Sequence, residues 1–258
     1  MRRQMKKTKL ATLSRRKLIT RAGALGGLLL TGCDTDIYTP PQVRGGIMGV
    51  ADVLTMATQR LLLSGGQLVQ EHDPSEITKN FPVWNQSNPE DEEYQRLRRG
   101  GYADWQLPVS GLVNRPISLS LADLKRLPQR TQITSHICEQ GWSAIAQWTG
   151  APLLQVLEAA GGVTPDARYV VIDAYGGFYE GYDMFDVVHP QTILAYGMNG
   201  KDLPLGNGAP VRLRVERHCG YKQIKFVKSI QVVSSMEGFG RGTGGTNSDF
   251  NFHWYAGA

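Results

Sequence analysis

The sequence predicts one mixed α+β domain. Three observations carry that expectation. Strand-like runs such as Tyr169-Val170-Val171-Ile172 are separated by short helix-like segments and long turns, without a regular β-α alternation. The 226 residues from Cys33 onward suffice for one sizeable core. No internal repeat or long low-complexity stretch divides them.

The first 32 residues read as an export signal and not as part of the fold. Ser14-Arg15-Arg16-Lys17-Leu18-Ile19 is followed by an apolar run, Ala22 to Thr31, too short and glycine-rich to span a bilayer as a stable helix. The run ends in Leu30-Thr31-Gly32-Cys33. Residues 33–46, with Pro40-Pro41 and Gly45-Gly46, read as a tether. The whole chain carries a formal charge of +5, but nine of its 28 Lys and Arg fall in residues 1–32, which hold no acid. The remaining 19 face 23 acidic residues, a net charge of −4. The mature composition therefore gives no support to nucleic-acid binding.

Ile47 to Leu63 has helical apolar spacing (Ile47, Val50, Ala51, Leu54, Ala57, Leu61, Leu62), stopped by Gly65-Gly66, and is expected to pack on the domain as an amphipathic helix. Phe81 to Gly100 reads as polar and irregular, its charged run Glu90 to Arg99 as a solvated face. Ser120-Leu121-Ala122-Asp123 has the capping-box form and opens a short helix ending before Pro128. Pro152 to Ala160 reads as a second short helix, with proline in its first turn and Gly161 at its end. Arg168 to Ala174 reads as a strand too continuously apolar to be half-exposed. Val211, Leu213 and Val215 alternate with Arg212, Arg214 and Glu216, a strand with one apolar face. Ser229 to Val233 is another short strand. Residues 236–258 are glycine-rich, then aromatic (Phe250, Phe252, His253, Trp254, Tyr255), an end expected to dock onto the body.

The chemistry gathers in three segments: His136-Ile137-Cys138-Glu139-Gln140-Gly141-Trp142-Ser143, Asn207-Gly208-Ala209-Pro210-Val211-Arg212, and Gly220-Tyr221-Lys222-Gln223-Ile224-Lys225. Cys138 lies between a strand-like and a helix-like stretch. A soft sulfur ligand with distant phosphate-binding groups suits a large anionic metal cofactor. On the residues alone, oxidation of Cys138 and Cys219 to a disulfide is the first alternative in an exported chain. Zinc on His136, Cys138, His218 and Cys219 is a second, against which stand the adjacency of His218 and Cys219 and a spacing that fits no common zinc pattern.

The string Cys138, Trp142, Ser143, then Trp148, Gly150, Pro152 and Leu153, resembles the ligand segment of the sulfite oxidase and protein-methionine-sulfoxide reductase superfamily. The resemblance covers about residues 68–235, within a domain set at 47–235. It implies a mixed-sheet, sulfite oxidase-type molybdopterin-binding domain, here without the C-terminal immunoglobulin-like domain of larger members. It also implies a molybdenum-molybdopterin cofactor with Cys138 as the catalytic thiolate ligand of molybdenum. Asn207, Arg212, Gln223, Ile224 and Lys225 match positions that line this cofactor. Phe81 and Asn85, in Asn80-Phe81-Pro82-Val83-Trp84-Asn85, stand where relatives present an aromatic-Asn segment, although their Arg-Asn-His is absent. Asp173, or Ala174 beside it, falls where a relative contacts the cofactor through threonine.

The N-terminus resembles a twin-arginine leader with a lipoprotein box. That implies lipidation of Cys33, cofactor insertion before export, and a periplasmic location anchored to the inner membrane. The resemblance also implies a membrane haem b protein or cytochrome as the electron partner. The chain departs from sulfite oxidases near the ligand: Ile137 precedes Cys138, and Ser143 replaces an arginine. The glutamate found two residues after the cysteine in methionine-sulfoxide reductases is Gln140 here, with Glu139 shifted by one. A small dianion such as sulfite needs a dense positive pocket. Near Cys138 the sequence offers only His136, with Arg214 and Arg217 as distant candidates. The expected activity is therefore oxygen-atom transfer on an S-oxide or N-oxide, methionine sulfoxide included, more than sulfite oxidation. The competing reading is an exported binding lipoprotein that kept the fold and lost the redox role.

Overall fold

In the computed structural model the described residues are 46–62 (side chains from Val53), 67–84, 87–255 and 257. Contacts divide the chain at residue 36, and every described residue belongs to the second unit, 37–258. The leader, Cys33, the tether to residue 45 and Asn85 lie outside the described residues. Among those described, no helix is long and apolar enough to cross a membrane.

Two five-stranded sheets form the body. The first has the order β2 (Ile117–Ser120), β1 (Gln106–Gly111), β10 (Val227–Val233), β5 (Tyr169–Ala174), β6 (Tyr179–Asp183). It is mixed, because β1 and β10 run parallel while the other neighbours run antiparallel. The second is antiparallel: β3 (Arg130–Ile137), β4 (Ser143–Pro152), β7 (Ile193–Met198), with β8 (Lys201–Asp202) and β9 (Arg212–Arg214) both pairing β7. The fold is thus the expected mixed α+β class.

The main core lies between the sheets. Leu107, Val109, Val170, Ile172, Ile230 and Val232 meet Ala151, Leu194 and Leu213. Each fully buried aliphatic side chain contributes about 1.5–3 kcal/mol as an upper bound. Val171 and Tyr169, on the other face of β5, join Met56, Met236, Trp254 and Tyr255 in a second cluster. Burial on both faces explains why this strand reads as unbroken apolar sequence.

Several elements form as their residues dictate. Helix α3 (Leu121–Arg126) opens with the reciprocal Ser120–Asp123 capping box. Helix α4 (Leu153–Ala159) has Pro152 at its N-cap and stops at Gly161, whose φ is +79°.

Three expectations are corrected. Glu92–Arg99 is a helix, α2, because Tyr94 and Leu97 at i and i+3 share one buried face. Its acids stand at the start and its arginines at the end, as the helix dipole favours. Helix α1 (Gly46–Leu62) does not dock by its leucines, since Leu54, Leu61 and Leu62 are exposed at 54, 84 and 71%. Met56 and Arg60, i and i+4, dock instead, with Arg60 ion-paired to buried Asp183. The aromatic end docks only in part: Trp254 and Tyr255 are buried, while Phe250 and Phe252 stay exposed.

Candidate active site

The β3–β4 hairpin is in register up to Ile137 opposite Ser143, which leaves residues 138–142 as its loop. Cys138 N–H donates to Trp142 O at 2.9 Å, and Gly141, at φ +88°, closes the turn through its N–H to Cys138 O at 3.0 Å. Cys138 therefore sits between two strands, not before a helix as its sequence neighbourhood suggests. Its thiol is buried and donates to Glu139 Oε2 at 3.5 Å. Burial and the neighbouring Glu139 carboxylate push the thiol pKa up, against a backbone N–H from Gln140.

His136, next to the loop on β3, is buried and neutral. Burial, then the charges of Arg214 and Arg212, bring its pKa down to about 2. Phe81 packs its ring edge-on against Trp148 and Trp142, and tilted against His136, with centroids 5.5, 6.4 and 5.8 Å away.

The strand holding Arg212 and Arg214 is buried on both faces, which corrects the expectation of a single apolar face. The two arginines have different fates. Arg214 forms a two-point pair with Glu216, Nε to Oε1 at 3.0 Å and Nη2 to Oε2 at 2.6 Å, and Gln132 adds a donor to the same carboxylate. Arg212 spends its two terminal nitrogens on backbone carbonyls, Asn207 O and Gln223 O, both at 3.1 Å. Its Nε has no hydrogen-bond partner, and no carboxylate pairs with it among the described residues. Burial, then Arg214, lower its pKa to about 9. A buried cation without a counter-ion is costly unless an anion joins it.

Asn207 ends a 3-10 turn, Leu205–Asn207, and Gly208 follows at φ +110°. A Cβ at Gly208 would lie 2.9 Å from the Lys225 Cβ and 3.1 Å from the Arg212 Cβ. Only glycine lets these two cations approach from either side of the turn. Lys225 donates to Trp84 O at 2.9 Å and to Gly206 O at 3.2 Å. Burial, then Arg212, bring its pKa down to about 7. Gln223 donates to His218 O at 2.9 Å, while its buried Oε1 has no hydrogen-bond partner of normal geometry.

These pieces surround one cleft of about 810 Å³, open to solvent. The structure brings Cys138, Asn207, Arg212, Gln223, Ile224, Lys225 and Phe81 to its wall. Asp173 is not brought there: it lies on β5 and accepts a hydrogen bond from Ser229 Oγ at 2.8 Å, and its neighbour Ala174 is likewise absent from the wall. Glu139, noted in the sequence for its shift by one, also lines the cleft, and Trp84, Phe178, Glu180, Tyr221 and Asn247 do so without having been singled out. Glu139 was visible beside Cys138; Glu180 and Asn247 are joined to the site only by tertiary contacts.

Cys138 and Cys219 are both free thiols. Among the described residues no group of three or more His, Cys, Asp or Glu could hold a metal ion, and His218 is paired with Asp186 at 2.8 Å. The cleft therefore joins one soft thiol to the buried Arg212 and the half-buried Lys225, with a guanidinium N–H and an amide oxygen that lack hydrogen-bond partners among the described residues, beside flat aromatic walls. That donor set fits a flat, polar, anionic heterocycle that brings its own metal, and so defines a cofactor-dependent redox enzyme.

The comparisons agree. Residues 95–238, more than half of the chain, match the oxidoreductase molybdopterin binding domain. The chain is 34% identical over 246 residues to a protein of Azospira oryzae with the provisional name protein-methionine-sulfoxide reductase subunit YedZ1, covering 95% of this chain and 88% of that one. It is 36% and 35% identical over 148 residues to the protein-methionine-sulfoxide reductase catalytic subunits MsrP of Xanthomonas campestris and Xanthomonas axonopodis. Those matches cover 51% of this chain and 46% of each relative, so the chain aligns with just under half of their length. Among solved structures, the sulfane dehydrogenase SoxCD from Paracoccus pantotrophus aligns at TM-score 0.49 and 24% identity over 52% of this chain and 39% of that one. The chain belongs to the molybdopterin-binding oxidoreductase family, and it is an enzyme of the sulfite oxidase superfamily.

Proposed function

We propose that this enzyme reduces S-oxides, methionine sulfoxide foremost, at a molybdenum held by Cys138. Asn207, Arg212, Gln223, Ile224 and Lys225 hold the pterin and its phosphate, and Phe81 forms part of the aromatic wall. When bound, the cofactor supplies a two-electron couple and an acceptor for the substrate oxygen. In the net reaction the S–O bond breaks, sulfur gains two electrons, and the oxygen leaves as water with two protons. The protein's own residues place the metal and set the charge that a substrate meets.

That charge is the observation that carries the substrate reading. Glu139 lies against Cys138, and His136 beside it stays neutral. Arg214 is neutralised by Glu216. Arg217 donates to Gln67 O at 3.0 Å and is not part of the cleft wall. A sulfite dianion would meet an acid near the thiol, while a neutral sulfoxide meets no such penalty. The names of the relatives, methionine-sulfoxide reductases, support the same choice.

The reading extends to the N-terminus. Ser14 to Ile19 and Leu30 to Cys33 support twin-arginine export and lipidation of Cys33, which would hold the enzyme at the periplasmic face of the inner membrane. A membrane haem b protein or cytochrome is the electron donor in this scheme. The test of the reaction is steady-state kinetics of the cofactor-loaded chain with methionine sulfoxide, dimethyl sulfoxide and sulfite, using artificial redox partners. A higher kcat/KM for the sulfoxides is expected; a value for sulfite far above both overturns the substrate assignment.

A further inference from the structure

The family match ends at residue 238, yet the chain beyond it builds part of the cleft. The short helix α5 (Thr246–Asp249) brings Asn247 into the wall. The Asn247 side-chain amide donates to Glu180 Oε1 at 2.9 Å and to Tyr221 O at 3.1 Å, and its backbone N–H donates to the same Oε1 at 3.2 Å. The other Glu180 oxygen accepts from Lys222 Nζ at 2.6 Å. Glu180 and Lys222 are each 1% exposed. One buried carboxylate thus links the tail to the 3-10 turn Gly220–Lys222, and the next three residues carry Gln223, Ile224 and Lys225 into the cleft.

The approach is close. A Cβ at Gly245 would lie 2.1 Å from Glu180 Oε2. Tyr221 OH donates to His253 O at 2.7 Å, and Tyr179 N–H donates to Thr246 Oγ1 at 2.9 Å. Within itself the turn has the short-range bonds Lys222 N to Cys219 O and Gln223 N to Gly220 O, both 3.0 Å. From outside, Tyr182 OH donates to Lys222 O, Lys222 Nζ donates to Gly181 O at 3.1 Å, and Arg212 Nη2 donates to Gln223 O at 3.1 Å, while Asn247 and His253 hold the Tyr221 side of the turn from the tail. A turn this short is stiff only where its groups are held from outside.

We infer that Asn247 is a positioning residue for the cofactor: through Tyr221 O and Glu180 it fixes the turn that presents Gln223, Ile224 and Lys225, and so sets how long the chain retains its molybdopterin. The inference rests on the proposed assignment of those three residues to the cofactor. Removing the amide takes two donors from a buried carboxylate and a turn carbonyl. The turn then relaxes where the cofactor needs it fixed.

The experiment uses the full chain matured in a host that makes molybdopterin. The half-time of cofactor release is followed by pterin fluorescence for wild type, Asn247→Ala, the near-isosteric Asn247→Asp, and Phe250→Ala as an exposed tail control. The melting temperature of each cofactor-free chain is recorded beside it. Release about tenfold faster in Asn247→Ala is expected from one lost bond to a charged acceptor. Asn247→Asp, which sets a second carboxylate against Glu180, releases faster still, and Phe250→Ala matches wild type. Asn247→Ala combined with Glu180→Gln releases no faster than the worse single variant, which loss of tail stability alone would not produce. Wild-type release rates in both Asn247 variants overturn the inference, as does a fall in melting temperature with release unchanged. A wild type that never takes up the pterin instead overturns the cofactor assignment.

Discussion

Arg214 donates from Nη1 to His136 Nδ1 at 2.8 Å, which fixes the imidazole proton on Nε2. The same guanidinium is closed on its other side by Glu216 and lies 4.3 Å above the Trp148 ring. A fully buried ion pair beneath the cleft thereby holds the residue that flanks the Cys138 loop.

The pair should be much harder to break than to replace. Arg214→Met leaves the Glu216 carboxylate buried with Gln132 as its one remaining side-chain donor among the described residues, at an expected cost of about 3–5 kcal/mol. Arg214→Met with Glu216→Met should recover a large part of that loss. Denaturant melts of the cofactor-free chain check this; a double variant as unstable as the single one contradicts it.

Lys225 gives two opposite pH slopes. Its folded pKa, about 7, is below that of the unfolded chain, so the unfolded state binds more protons above pH 7. The stability of the empty chain should therefore rise with pH from about 7 toward the ordinary lysine range. An anionic cofactor restores the charge, so loading takes up a proton and should weaken over the same range, by at most about tenfold per pH unit. Lys225→Ala should weaken loading and flatten both slopes. Parallel slopes in wild type would show that the lysine does not face the phosphate.

Gly208→Ala tests the cradle directly. The new methyl meets the stems of Arg212 and Lys225 in a backbone conformation with φ +110°. A stability loss of about 1–2 kcal/mol is expected from the conformation alone. Cofactor content should fall further than that loss explains, because both cations are displaced together. Pterin content per folded chain is the readout, and normal loading would place the phosphate elsewhere.

Export is tested in the cell. Cys33→Ala should release the mature enzyme into the soluble periplasm, and Arg15→Lys with Arg16→Lys should hold it in the cytoplasm. Fractionation decides: a soluble wild type removes the lipid and leaves the leader.

The sequence made the site more legible than the frame around it. Cys138, the Asn207–Arg212 segment and the Gly220–Lys225 turn are contiguous strings, and their fixed spacing survives without knowledge of the fold. Helix α2 was hidden because five charged residues mask the two that dock, Tyr94 and Leu97. The full length of β3 was not legible because Gln132, Thr134 and His136 occupy its buried positions, where Gln132 is satisfied by Glu216 and His136 by Arg214. Arg212 and Arg214 looked like a solvated strand face because buried arginine is rare and its partners lie far away in sequence. Glu180 and Asn247 carry no local signal, since their meaning comes from contacts 67 residues apart. Asp173 was placed by alignment in a strand where a shift of one residue exchanges the two faces.

The central claim is that Cys138 completes the sulfur shell of a molybdenum held by a pterin. Molybdenum X-ray absorption on the loaded wild type and on Cys138→Ser tests it most directly. Cofactor should remain bound in the variant through Arg212 and Lys225, and its metal should show one sulfur neighbour fewer and one light neighbour more. An identical sulfur shell in both proteins, with activity retained in the variant, would contradict the account.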